Sequence, residues 1–208
     1  MYTHDSSNYI SAGTPAKQAK TALVMLHGRG GAAGDMIRLA KLFNLTDVAL
    51  YAPQATNNSW YPYSFMAPEK QNQPALDSAI DAIDSLVKQA VADGIPTEKI
   101  YFVGFSQGAC LTLEYVGRKA QRYGGAVAFT GGLIGQELIT ERYKGDFDGT
   151  PVLISTSNPD PHVPLSRVEE TVKVLQKLGG DITLKVYEGK PHTITQPEIE
   201  LANEVIFK

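Results

Sequence analysis

Short apolar runs and helix-periodic stretches alternate along this chain almost from end to end, an order that predicts a mostly parallel sheet with helices on both faces. Residues 21–27 are continuously apolar enough for a buried strand, and 33–43 carry Met36, Ile37, Ala40 and Phe43 at helical spacing. Further strands are predicted over 47–52, 99–105, 126–130, 151–156 and 182–187, with a short edge strand over 9–12. Pro74 opens a helix that Gly94 ends, with Leu76, Ile80, Ile83, Val87 and Ala90 along one face. A helix over 166–178 takes Ser166 as N-cap, Glu169 as the partner in a capping box and Gly179 as its stop; another spans 197–207. Prolines, asparagines and aromatics break the rhythm over 53–74. Long irregular loops in compact domains usually carry function.

At 208 residues and 43% hydrophobic, the chain suits one domain, 1–208, with a single well-buried core. A net charge of −3 without any Lys/Arg block argues against nucleic acid or an anionic membrane as partner and favours a small-molecule or peptide substrate. Cys110 is the sole cysteine, so no internal disulfide forms. The first ten residues lack the basic start and apolar core of a leader, and no apolar run approaches the roughly 18 residues of a membrane span. These features predict a cytoplasmic protein. A homodimer is compatible with them.

Between the 99–105 strand and a helix-like run from Ala109 stands Gly104-Phe105-Ser106-Gln107-Gly108. This reads as a nucleophile elbow, in which small residues two before and two after the serine avoid a collision of Cβ atoms. A serine hydroxyl needs a base to take its proton and a third group to orient that base, and in doubly wound hydrolases acid and histidine follow in that order beyond later strands. His27 precedes the elbow, His4 lies in a terminus expected to be mobile, and His162 shares a loop with the best acid. His192, past the last strand, and Asp160, past the 151–156 strand, remain as base and orienter.

His27-Gly28-Arg29-Gly30-Gly31 follows the first main strand, where the second oxyanion donor is expected; the backbone N–H of Arg29 would pair with that of Gln107. Gly28 to Ala33 also fits the dinucleotide fingerprint G-x-G-x-x-A, which requires an acid at the end of the second strand. That end reads Ala52-Pro53-Gln54, and Asp47 opens the strand instead. A nicotinamide-binding protein is therefore the remote alternative.

Together with His27-Gly28-x-Gly30, Asp160-Pro161-His162-Val163-Pro164 and Pro191-His192, the elbow resembles the phospholipase/carboxylesterase family of α/β-hydrolases over about residues 21–207. The resemblance implies an α/β-hydrolase fold, Ser106 as nucleophile, His192 as base, Asp160 as orienter, and no metal or organic cofactor. Acyl-protein thioesterases of that family typically carry an apolar residue where Arg29 stands, and a His-Gly pair where this chain has Ser157-Asn158. The likeness is closer to small bacterial carboxylesterases, with thioesterase or lysophospholipase action on longer acyl chains as the alternative. No insertion is large enough for a cap domain, so an open site is expected.

The aromatic loop is expected to wall an acyl or aryl pocket through Trp60, Tyr61 and Phe65, with Leu133 and Val163 opposite. Cys110, one turn past Ser106, reads as a buried small residue rather than a second nucleophile. For the Arg29 side chain two roles are open: a partner for a substrate carboxylate, or a solvated or ion-paired structural group.

Overall fold

In the computed structural model, which describes residues 2–208, the chain runs β1 (Tyr9–Gly13), β2 (Thr21–Leu26), α1 (Ala33–Ala40), β3 (Val48–Pro53), α2 (Glu69–Asn72) and α3 (Ala75–Ala92). It continues through β4 (Ile100–Phe105), α4 (Gln107–Arg118), β5 (Gly125–Phe129), β6 (Pro151–Asn158), α5 (Leu165–Lys177), β7 (Asp181–Glu188) and α6 (Gln196–Val205). The strands join in one sheet of order β1-β3-β2-β4-β5-β6-β7, antiparallel at β1·β3 and parallel elsewhere. This is an α/β-hydrolase sheet. Among the described residues no cap covers the carboxyl ends of its strands.

Alternation along β2 shows how the sheet is covered. Ala22, Val24 and Leu26 pack with Leu76 and Ile83 of α3, Leu111 of α4 and Leu175 of α5; Leu23 and Met25 face the opposite way, with Met36 of α1 and Ile199 of α6. A strand covered on both faces needs apolar side chains at every position, so its sequence reads as a run rather than an alternation.

The 53–74 segment is irregular but tightly held. Asn72, fully buried at the end of α2, accepts from the Tyr63 N–H (2.9 Å) and donates to the Ser64 carbonyl (2.9 Å). His4 is not in a free terminus, as expected from sequence, but behind this loop. Its Nδ1 accepts from the Thr56 N–H (3.1 Å), its Nε2–H donates to the Trp60 carbonyl (2.9 Å), and Tyr2 donates to the Ser59 carbonyl (2.8 Å). Buried backbone groups must find partners, and the N-terminal segment supplies them here.

A second irregular segment, 131–149, is tied down by buried charge. Glu114 of α4, fully enclosed, accepts from the Ile134 N–H (2.9 Å), the Tyr143 hydroxyl (3.0 Å) and Arg118 Nε (2.6 Å). The expected capping box at Ser166 and Glu169 does not form. Pro164 is the N-cap of α5, its carbonyl takes the Arg167 N–H (3.1 Å), and Ser166 lies inside the first turn. The box occurs instead on α6, between Thr195 and Glu198. No helix among the described residues is long and apolar enough to cross a membrane.

Two outcomes are expected. Glu114→Ala strands a buried N–H and a hydroxyl and breaks an enclosed ion pair; it should lower stability by about 3–5 kcal/mol, read as a lower urea midpoint at unchanged m-value. Burial holds His4 below its usual pKa even though its bond to the Trp60 carbonyl opposes the shift. Below about pH 6.5 the unfolded chain therefore takes up this proton more readily, and stability falls as pH drops. The decline in Tm from pH 7.5 to 5.5 should be shallower in His4→Gln; an unchanged slope would remove His4 from the account.

Candidate active site

The turn from β4 into α4 gives Ser106 φ 52° and ψ −116°, a strained backbone held by its surroundings. The flanking glycines show what holds it: a Cβ on Gly108 would run into the carbonyls of Leu26 and His27, and one on Gly104 into the carbonyl of Gly108. Helix and strand can approach this closely only without those two side chains. The Ser106 N–H donates to the Phe129 carbonyl (2.9 Å), which pins the turn to β5.

Asp160 and His192, in the loops after β6 and β7, meet Ser106. Asp160 Oδ2 accepts from His192 Nδ1–H (2.8 Å), and His192 Nε2 lies 2.8 Å from Ser106 Oγ. Asp160 Oδ1 accepts the N–H groups of His162 and Val163, each at 2.9 Å. Burial works against ionisation of Asp160, but hydrogen bonds from His192 and from these two N–H groups outweigh it and hold the carboxyl below its usual range. An ionised Asp160 keeps the proton of His192 on Nδ1 and leaves Nε2 free to accept. Phe105 (5.3 Å between centroids) and His162 (4.9 Å, edge-on) pack against the His192 ring.

The loop carrying His192 has its own anchor. Fully buried Glu198 accepts the Ser155 hydroxyl (2.6 Å) through one oxygen and the Thr195 N–H and hydroxyl (2.8 Å each) through the other. Lys190 Nζ approaches it at 3.3 Å and donates to the Thr193 carbonyl (2.7 Å), closing the loop from both sides.

After β2, His27 Nδ1–H donates to the Gly28 carbonyl (2.7 Å), and the Gly31 N–H donates to the same oxygen (3.0 Å). Burial keeps the His27 pKa low, so its ring is neutral and its Nε2 accepts from the Ala55 N–H (3.1 Å). Two donors on one carbonyl fix the Gly28–Arg29 peptide plane and point the Arg29 N–H the opposite way. Among the described residues, neither that N–H nor the Gln107 N–H at the start of α4 meets an acceptor. Asp47 stands at the opposite end of β3, paired with Lys20 (2.7 Å), so the dinucleotide fingerprint lacks its acid.

A cavity of about 500 Å³ opens at Ser106 and His192, bounded by Tyr61, Phe65, Cys110 and Val163. Trp60 and Leu133, expected in its wall, are not there. Trp60 is fully buried, donates Nε1–H to the His27 carbonyl (2.8 Å) and packs tilted against the His27 ring; Leu133 is fully buried with its N–H on Thr171 (2.9 Å). Sequence alone missed Phe105, Tyr63 and His162, which join the lining. Phe105 had a usable signal, since the residue before an elbow serine faces the same cleft. Burial pushes the Cys110 thiol up to about 12, so it stays protonated.

Arg29 is neither free nor ion-paired. Its Nη1 donates to Ser59 Oγ and the Pro62 carbonyl (3.0 Å each), and its Nη2 to the carbonyls of Tyr61 (3.0 Å) and Tyr63 (2.8 Å). Gln107 grips the same loop, accepting the Trp60 N–H and donating to the Tyr61 carbonyl at 2.8 Å each. The aromatic loop and the start of α4 are thus one hydrogen-bonded unit.

Residues 8–208 match the family model described as Phospholipase/Carboxylesterase. A probable carboxylesterase of Oryza sativa subsp. japonica is 31% identical over 204 residues, covering 88% of this chain and 76% of the relative. Acyl-protein thioesterase 1 of Debaryomyces hansenii is 28% identical over 213 residues, covering 91% of each. The crystal structure of a phospholipase/carboxylesterase from Dyadobacter fermentans superposes with a TM-score of 0.98 at 60% identity, over 100% of this chain and 99% of that one. The chain belongs to the phospholipase/carboxylesterase family of α/β-hydrolases and is a carboxylesterase-type hydrolase.

Proposed function

We propose that this chain cleaves carboxylic esters of small acyl or aryl groups by two-step acyl transfer on Ser106. The observation that carries the reading is the unbroken line Ser106–His192–Asp160, with 2.8 Å at both links. Ser106 Oγ attacks the ester carbonyl as its proton passes to His192 Nε2, and the oxygen that gains charge is received by the N–H groups of Arg29 and Gln107. The bond to the alcohol oxygen then breaks, and His192 returns the proton to the leaving alcohol. Water repeats the sequence on the acyl-serine and releases the acid. Asp160 stabilises the imidazolium formed at each step.

A thioester would follow the same course with a thiol leaving. The cavity of about 500 Å³, with Tyr61 and Phe65 in its wall, offers an acyl or aryl group apolar surface beside Ser106. No step draws on a metal or organic cofactor.

Short activated esters should be hydrolysed without added cofactor, and a serine-directed phosphonate should inactivate the protein one-to-one. Mass spectrometry that finds the adduct elsewhere than Ser106 would overturn the assignment. Asp160→Asn offers a donor where Nδ1–H needs an acceptor, and kcat should fall on the order of 10⁴-fold; a loss below tenfold would point to another acid. Arg29→Leu keeps the backbone donor but frees the loop over residues 59–63. It should raise KM several-fold for neutral and carboxylate-bearing esters alike while kcat stays within a few fold. A loss of at least about tenfold confined to the anionic ester would instead make the guanidinium a substrate ligand.

A further inference from the structure

On the far side of the Gly28–Arg29 turn lies a second cavity, of about 290 Å³, that the two-step reading leaves unused. It shares Gly28, Arg29 and Phe105 with the first, so the two are neighbours across that turn, with Ser106 and His192 in the lining of the first alone. Its own walls are Met36 and Leu39 of α1 and Ile194, two residues beyond His192. Leu39 and Ile194 are only half-buried. The polar groups nearby already have partners. His27 has both ring nitrogens engaged, Asp35 is paired with Arg38, and the Arg29 guanidinium holds the aromatic loop. An occupant therefore meets mainly apolar surface, with the exposed Asp35 carboxylate, paired to Arg38 through one oxygen, among the lining.

Its position relative to His192 says which part of an ester it would receive. The oxygen that departs must take the proton of His192 Nε2, so the group attached to that oxygen leaves on the histidine side of Ser106. Phe105, packed against the His192 ring, and Ile194, on the same loop, face the second cavity, whereas Tyr61, Phe65, Cys110 and Val163 belong only to the first. We propose that the second cavity is the leaving-group subsite and takes an apolar alkyl or aryl alcohol. The proposal rests on the acyl-transfer reading above. A dry cavity of about 150 Å³ accommodates benzene, so this one has room for a phenyl-bearing alcohol or a chain of several carbons.

Two series of esters test it on the purified protein: acetates of methanol through hexanol and of 2-phenylethanol, and methyl esters of acetic through hexanoic acid. Unbranched alcohols beyond ethanol differ little in acidity, so their kcat/KM values report binding of the leaving group. The acetates should gain about two- to fourfold per methylene until the cavity is full. Leu39→Trp fills the cavity, and Ala32→Leu, at an exposed position on its rim, narrows it without touching the core. Each should lower the hexyl-to-methyl ratio at least tenfold and leave the acyl-series ratio within about twofold. A flat acetate series in wild type, or a ratio that survives both variants in protein with an unchanged melting curve, overturns the subsite. In either case methyl esters would still be cleaved and Ser106 still labelled. Loss of all ester cleavage in wild type, or labelling elsewhere, defeats the acyl-transfer reading and the subsite with it.

Discussion

The constraint on which the site depends is the absence of two side chains. Gly108 lies against the carbonyls of Leu26 and His27, and Gly104 against that of Gly108, so α4 starts almost in contact with the ends of β2 and β4. That approach forces Ser106 into its positive-φ conformation, exposes its oxygen, and sets the first N–H of α4 beside the turn that follows β2. The remaining groups of the site are arranged around this fixed corner. Strain of this kind persists only where surrounding contacts over-determine it, and here both strands and the helix contribute.

Two arginines do for loops what the glycines do for the elbow. Arg29 gathers carbonyls from 61–63; Arg167, almost fully buried, donates to the carbonyls of Leu133 (3.2 Å), Gly135 (2.6 Å) and Gln136 (2.9 Å). Irregular backbone next to a cavity has carbonyls that no strand or helix satisfies, and a guanidinium with five donors meets several at once. The Gly135 N–H bonds the Phe65 carbonyl (2.7 Å), so the two arginine-held loops also meet. The cavity walls thereby gain rigidity without belonging to regular structure.

The sheet was legible because interior parallel strands must be apolar on both faces, and Ser106, Asp160 and His192 because strand phase and order allow few other choices. Side-chain direction within loops was not. Trp60 and Tyr61 are neighbours with similar chemistry, yet one donates into the core at His27 and the other faces the cavity. The Ser/Thr-x-x-Glu pattern occurs at the start of both α5 and α6, and only the second forms a box, because α5 takes Pro164 as its N-cap, two residues before Ser166. Arg29 carried no signal either, since its partners are main-chain carbonyls that every residue has.

The anchor beneath His192 is separate from the one behind the aromatic loop. Glu198, Lys190, Ser155 and Thr195 hold the histidine from the β6–β7–α6 side, while Tyr2, His4, Arg29 and Gln107 hold residues 56–63 from the other. Among the described residues no hydrogen bond joins the two loops. Substitutions in the aromatic loop can therefore reshape what the cavity admits without displacing the imidazole, so that in a lineage built on this scaffold selectivity can drift while the proton-transfer geometry is inherited intact.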